Sequence, residues 1–202
     1  MSESKTLPKI GILGGTFDPP HLGHLAMAVA ARDALGLDEV VFVPAYRNPL
    51  KTRLGITPAH RRLAMVKLLI GGEPSFSVSD IELTRGQLSY AVDTLSEMSF
   101  LRPAEYWFIL GSDSLKRLYD WHQIEKLSRL TRFAAILRAP DTEEVALRDV
   151  PELYREVIDF VPMEAHPASS TKVRDAILTN RPYHHLVPEA VAEYIEKNEL
   201  YR

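Results

Sequence analysis

Short apolar runs alternate along the whole chain with segments whose apolar residues recur at helical spacing. Ile10, Ile12 and Leu13 make the first run and predict a strand. His24 to Leu35 then carry Leu25, Ala28, Val29 and Leu35 near helical spacing, with Gly36 as a stop. Val40-Val41-Phe42-Val43 is a second buried-strand run, ended by Pro44. Strand, helix and strand fit within about 35 residues, the size of a βαβ unit.

The alternation continues. Pro58 opens a helical pattern with Leu63, Val66, Leu69 and Ile70, stopped by Gly71-Gly72. Phe76 and Val78, extended by Ile81 and Leu83, predict a half-buried strand. Ser89 reads as the cap of a helix carrying Val92, Leu95 and Met98. Tyr106 to Leu110 predict a buried strand closed by Gly111; Ile124 to Leu130 predict a short helix. Phe133 to Leu137 and Val157 to Val161 predict two more strands. One helix should follow Ser169-Ser170, with Val173 and Ile177, and another should begin near Pro188, with Val191, Tyr194 and Ile195. Pro140 to Pro151 read as an exposed connection.

Such alternation predicts an α/β fold: a mostly parallel sheet with helices on both faces. The length of 202 residues favours one domain. We expect residues 1–8 to be a polar tail and about 165–202 a small helical C-terminal extension of that domain. The chain has no Cys, which excludes disulfides, a thiolate nucleophile, iron–sulfur clusters and Cys-type zinc sites. Lys and Arg number 24 against 27 Asp and Glu, a net charge of −3. An unspecific polyanion binder carries a basic excess, so no nucleic-acid partner is expected, whereas one phosphorylated small molecule needs only a few placed cations. The first eight residues lack an apolar targeting core, and apolar stretches such as Met65–Ile70 are broken by charge. A soluble cytoplasmic protein with no membrane partner is expected.

The first strand runs into Gly14-Gly15-Thr16-Phe17-Asp18-Pro19-Pro20-His21-Leu22-Gly23-His24. Glycines at the carboxyl end of a parallel strand let backbone approach a ligand, and the next helix aims its free N–H groups at the same spot, which suits phosphate. A plain strand–helix turn is the alternative. Neither the dinucleotide fingerprint G-x-G-x-x-G nor the P-loop is present. His21 and His24 share a face if both lie in the first helical turn. Each can donate a hydrogen bond to phosphate; a zinc pair would need further ligands that no neighbouring spacing supplies.

Further along, Gly111 and Asp113 follow a strand on the same sheet edge as Gly14, where a carboxylate could take a ribose hydroxyl or water around Mg²⁺, or cap the next helix. Ser169, Ser170 and Thr171 are a capping site by type; with Arg174 on the next turn they also suit a triphosphate. Trp121, between Asp120 and His122, and Tyr90 are a candidate aromatic platform, with core packing as the alternative for Trp121.

Gly14 to His24 resembles the (T/H)-x-G-H signature of the nucleotidylyltransferase superfamily, and the longer Gly-Gly-Thr-Phe-Asp-Pro-x-His-x-Gly-His is similar to its bacterial nicotinate-mononucleotide adenylyltransferase branch. Three later segments carry the same resemblance: Ser89-Tyr90-Ala91-Val92-Asp93-Thr94-Leu95; Gly111-Ser112-Asp113-Ser114-Leu115 with Trp121; and Ser169-Ser170-Thr171-Lys172-Val173-Arg174. Leu186-Val187-Pro188, Tyr194-Ile195 and Leu200-Tyr201 fit the branch's ending, so the match runs over about residues 9 to 201.

The resemblance implies a Rossmann-like doubly wound fold and transfer of the adenylyl group of ATP to nicotinate mononucleotide. Catalytic roles then fall to His21, His24, Lys51 and Arg174. ATP would be held by Gly14, Gly15, Thr16, Phe17, the two histidines, Gly111, Asp113, Arg138, Ser169, Ser170, Thr171 and Arg174. Nicotinate mononucleotide would be held by Gly15, Thr16, Phe17, Tyr90, Ala91, Trp121 and His122, with stacking on Trp121 and backbone N–H groups near Ala91 and His122 on its carboxylate. Mg²⁺ would come with ATP, bound mainly by phosphates, with Asp113 reaching it through water. A homodimer is compatible with the pattern.

This chain departs from the branch in three places. Asn48-Pro49-Leu50-Lys51 replaces Pro-Pro-His-Lys, losing a His; Ala91 replaces a Thr; Ala168 replaces an Ile. An adenylyltransferase preferring nicotinamide mononucleotide or another phosphate acceptor, and a nucleotide-binding regulator without turnover, remain as alternatives.

Overall fold

The computed structural model describes residues 6–49, 55–138 and 140–202. Strands β1 (Lys9–Gly15), β2 (Glu39–Pro44), β3 (Phe76–Val78), β4 (Glu105–Gly111), β5 (Arg132–Arg138) and β6 (Ile158–Met163) form a six-stranded sheet in the order β3-β2-β1-β4-β5-β6. Every neighbouring pair is parallel. This is the doubly wound order, whose strand sequence reverses beside β1. Helices α1 (Leu22–Leu35), α2 (Ala59–Ile70), α3 (Ile81–Arg85), α4 (Ala91–Leu101), α5 (Ser112–Leu115), α6 (Ile124–Leu130), α7 (Glu143–Leu147), α8 (Glu152–Arg155), α9 (Ser170–Leu178) and α10 (Glu189–Lys197) connect and cover it.

The near-continuous apolar runs follow from burial on both faces. Successive strand residues point to opposite sides. Leu13, Val40, Phe42, Ile109 and Ile136 pack with Met27 and Ala28 of α1, Met65 and Val66 of α2, Val173 of α9 and Val191 of α10. Ile12, Val41, Phe108, Leu110 and Phe133 pack on the other face with Val92 and Leu95 of α4, Leu115 of α5, Leu127 of α6 and Ala146 of α7. Among the described residues no helix is long and apolar enough to cross a membrane.

Three local expectations need correction. Ile81 and Leu83 do not extend a strand. After Ser79 donates to the Phe42 carbonyl, the end of β2 offers no further partner, and Thr84 and Gly86 close helical bonds to Asp80 and Glu82. The cap of α4 is Tyr90, not Ser89, because the Ser89 hydroxyl accepts from the N–H groups of Tyr46 and Arg47 across the cleft mouth. The stretch Pro140 to Pro151 is not wholly exposed: Thr142 caps α7, which buries Ala146, and Val150 is buried behind it. The last helix does begin near Pro188, which is the cap residue of α10.

Candidate active site

The site begins where the sheet splits. β1 pairs with β2 out to Gly15↔Pro44, and β4 pairs with β5 out to Gly111↔Ile136. Pairing between β1 and β4 stops at Ile12↔Phe108. Beyond that point the two central strands diverge and open a cleft of about 660 Å³, within the range of small-molecule sites. Gly14 stands at the split, where a Cβ would lie 3.1 Å from the Phe108 ring.

The segment between β1 and α1 wraps one side of this cleft. Phe17 takes a left-handed backbone (φ 51°) and buries its ring against His24, edge-on at 4.9 Å. His21 is the cap residue of α1 and His24 its third residue, as three-apart spacing requires. Their rings lie 3.7 Å apart between centroids, and His24 Nδ1 accepts the His21 main-chain N–H at 3.3 Å. That bond puts the proton of a neutral His24 on Nε2. His24 lines the cleft; His21 is buried behind it. Gly23 is needed for this packing, since a Cβ there would meet both the His21 ring and the Ala168 carbonyl at 3.0 Å.

The second helix terminus also arrives. Ser169 caps α9 by accepting from Lys172 N–H, and Ser170 donates to the Pro19 carbonyl at 2.8 Å. Arg174 donates to the Asp18 carbonyl at 2.7 Å and to Thr171 Oγ1 at 3.2 Å, so it is held beside the histidine loop. The capping and anion-site readings of this segment are thus compatible: Ser169 caps, while Ser170 lines the cleft.

The far wall is aromatic. Trp121 packs edge-on against Phe108 (5.4 Å) and Phe133 (6.4 Å) and still lines the cleft, so it is half core and half surface. Tyr90 and His122 rings stand 4.3 Å apart across the mouth. Tyr90 is the cap of α4 but its side chain makes no capping bond to the first amides of that helix, and Tyr90 and Ala91 both line the cleft. Gly111 and Arg138 complete the edge.

Ser169, Thr171 and Arg174 stand at the second helix terminus but outside the cleft lining, and Asp113 stands farther apart. Asp113 does not cap α5, whose cap is Gly111; it is about 80% exposed, 4.0 Å from Lys116, and outside the lining. Lys51, with Leu50, lies outside the described residues.

Two buried charged residues without an expected role support the site, Arg62 from behind the histidine loop and Glu82 at the lining. Arg62, 1% exposed, donates to the carbonyls of Thr16 (2.6 Å), Ala45 (2.7 Å) and Thr57 (2.9 Å), clamping the histidine loop to both ends of the β2–α2 connection. An arginine at a helical-core position was the only signal. Glu82 is buried at the lining and accepts from the Thr94 hydroxyl at 2.6 Å. Burial raises its carboxyl above the ordinary range. The folded state therefore holds that proton more tightly than the unfolded chain, and ionisation costs stability as pH rises. Glu82→Gln keeps the acceptor for Thr94, so it should gain stability over the parent at pH 8 but not at pH 4. Denaturant melts at both values test this, and an equal difference at both would contradict it.

Residues 12–176 match the profile of the cytidylyltransferase-like family. The chain belongs to the cytidylyltransferase-like family. Within that family it is similar to the "Probable nicotinate-nucleotide adenylyltransferase" of Herpetosiphon aurantiacus, 42% identical over 199 residues that cover 96% of this chain and 99% of the relative. The protein of the same name from Leifsonia xyli is 36% identical over 98% of this chain and 96% of its own length. The fold of this cytidylyltransferase-like chain is also that of Plasmodium falciparum nicotinic acid mononucleotide adenylyltransferase complexed with NaAD. The two share a TM-score of 0.77 at 21% identity, over 96% of this chain and 97% of that one.

Proposed function

We propose that the chain transfers the adenylyl group of ATP to nicotinate mononucleotide, giving nicotinate adenine dinucleotide and pyrophosphate, as a step of NAD biosynthesis. The observation that carries this is a single cleft lined by His24 from the first turn of α1, by Ser170 of α9, and by an aromatic wall of Tyr90, Trp121 and His122. The named relatives, alike over nearly the whole chain, support the same reading.

The acceptor phosphate is ionised near neutral pH and serves as the nucleophile. A bond forms from its oxygen to the α-phosphorus of ATP while the bridging α–β P–O bond breaks, and pyrophosphate takes the electron pair. No covalent enzyme intermediate and no strong base are needed, so the protein's task is alignment and charge stabilisation. His24 donates from Nε2 to the transferring group, and His21 stacks behind it to set its ring. Thr16 Oγ1 is buried at the lining without a hydrogen-bond partner among the described residues, and a phosphate oxygen would satisfy it. Arg174, Lys51 and the end of α9 neutralise the β- and γ-phosphates, and Arg138 meets the adenine side. Trp121 stacks on the pyridine ring, while the amides near Ala91 and His122 take its carboxylate.

Among the described residues no three His, Asp or Glu side chains converge to hold a metal ion. A Mg²⁺ ion bound with ATP would be carried by phosphate oxygens and water at this cleft and would supply charge neutralisation on the leaving pyrophosphate; Asp113, outside the lining, is not placed to hold it. ATP and a mononucleotide are metabolites of the cytoplasm, where we place the reaction, with the whole chain acting as one catalytic unit.

Pyrophosphate release measured with ATP and either nicotinate or nicotinamide mononucleotide tests the reading; the acid should be preferred. Trp121→Ala should weaken the mononucleotide by roughly 1–3 kcal/mol, the value of a lost base–aromatic stack, and leave KM for ATP nearly unchanged. Preference for the amide would move the assignment to a sister enzyme. Equal loss for both substrates would make Trp121 a core residue.

A further inference from the structure

Leu200-Tyr201 belongs to the pattern that runs to the end of the resemblance, yet no role attaches to it. The structure places it at the histidine loop. After α10, Glu199 and Tyr201 both take left-handed backbones (φ 49° and 65°), a conformation non-glycine residues adopt only when their surroundings hold them there. Leu200 is buried between them, and its N–H bonds to the Ile195 carbonyl at 3.0 Å. This turn delivers the Tyr201 hydroxyl to Asp18 Oδ1 at 2.7 Å. Burial pushes the Tyr201 phenol well above its usual range, so it stays a donor.

Asp18 is the joint of the site. Its other carboxylate oxygen faces the Thr57 N–H at 3.5 Å, and its carbonyl accepts from Arg174. The adjoining Pro19 carbonyl accepts from Ser170. Three side chains from the α9–α10 region thus grip two consecutive residues that lie just before His21. The two carbonyl bonds hold the main chain of the turn, and the short Tyr201 bond adds a hold on the Asp18 side chain beside its longer contact with the Thr57 N–H.

We infer that Tyr201 is a positioning residue for adenylyl transfer: its hydrogen bond to Asp18 sets the Asp18–Pro19 turn, and through it the placement of Arg174 relative to His21 and His24. The inference rests on the proposed activity for its kinetic consequence, though not for its structural one.

Tyr201→Phe keeps the ring and removes only the hydroxyl. Tyr183→Phe is the control, because that hydroxyl also makes one bond from this region, to Glu196 at 3.3 Å, away from the loop. With ATP and nicotinate mononucleotide, Tyr201→Phe should lower kcat about tenfold, the scale of one hydrogen bond to a charged acceptor. KM values should stay within about twofold, and Tyr183→Phe should leave kcat unchanged. In an Asp18→Asn background, Tyr201→Phe should add little, since the two report one interaction. Amide exchange across residues 18–24 should quicken in Tyr201→Phe and not in Tyr183→Phe. An unchanged kcat in Tyr201→Phe, or the same loss in both variants, overturns the inference. If the parent protein releases no pyrophosphate, the functional reading fails, and exchange alone then decides: unaltered protection of 18–24 in Tyr201→Phe overturns the positioning role.

Discussion

His24→Ala is expected to lower kcat about 10²–10³-fold, the scale seen when one preorganised donor to developing charge is removed, with the melting temperature little changed. The reasoning is geometric. His24 is the imidazole that lines the cleft, its ring is fixed between Phe17 and His21, and its Nδ1 is occupied by the His21 N–H. Such a group needs no reorganisation when charge develops on the transferring phosphoryl group. His24→Asn retains a donor on a shorter arm and should recover only part of the rate. Single-turnover measurement of adenylyl transfer separates this from product release. A folded His24→Ala protein with parental kcat would remove His24 from the chemistry.

The second large effect concerns stability. Arg62→Met should destabilise the fold by about 3–5 kcal/mol, because the carbonyls of Thr16, Ala45 and Thr57 would lose a buried donor and each unsatisfied acceptor costs about 1–3 kcal/mol. Relief from burying the charge offsets part of the sum; desolvation already lowers the pKa of this guanidinium. In a chain of this size the melting point should fall by roughly 10 °C. Arg62→Lys should not restore it, since a point ammonium cannot span three carbonyls as the planar fork does. Activity should fall alongside, because the same fork joins the histidine loop to the β2–α2 connection that carries Lys51. Urea melts within about 1 kcal/mol of the parent would show that water can replace the guanidinium there.

Local chemistry explains why much of this was readable beforehand. Strands buried on both faces are apolar runs, and β1, β2, β4 and β5 were each found within a residue or two. α1 and α9 carry their signals in adjacent residues, His21 to His24 and Ser169 to Ser170. At Ile81 and Leu83, and at Ser89, the deciding partner is distant in sequence. Ile81 and Leu83 look like strand because they alternate, but strand needs a neighbour, and β2 ends before it can pair with them. Ser89 looks like a cap, but its hydroxyl meets Tyr46 and Arg47, more than forty residues away.

The sequence by itself determined the order of the strands along the chain, the parallel α/β class and the residue types that can meet a phosphate, since each follows from spacing within a few residues. Only the tertiary structure decided which of these share one cleft. The split opens between β1 and β4, the bond from Arg62 to the Thr16 carbonyl spans 46 positions, and the bond from Tyr201 to Asp18 spans 183. No local pattern encodes such contacts, because they come into being only when the sheet is assembled and the helices close over it.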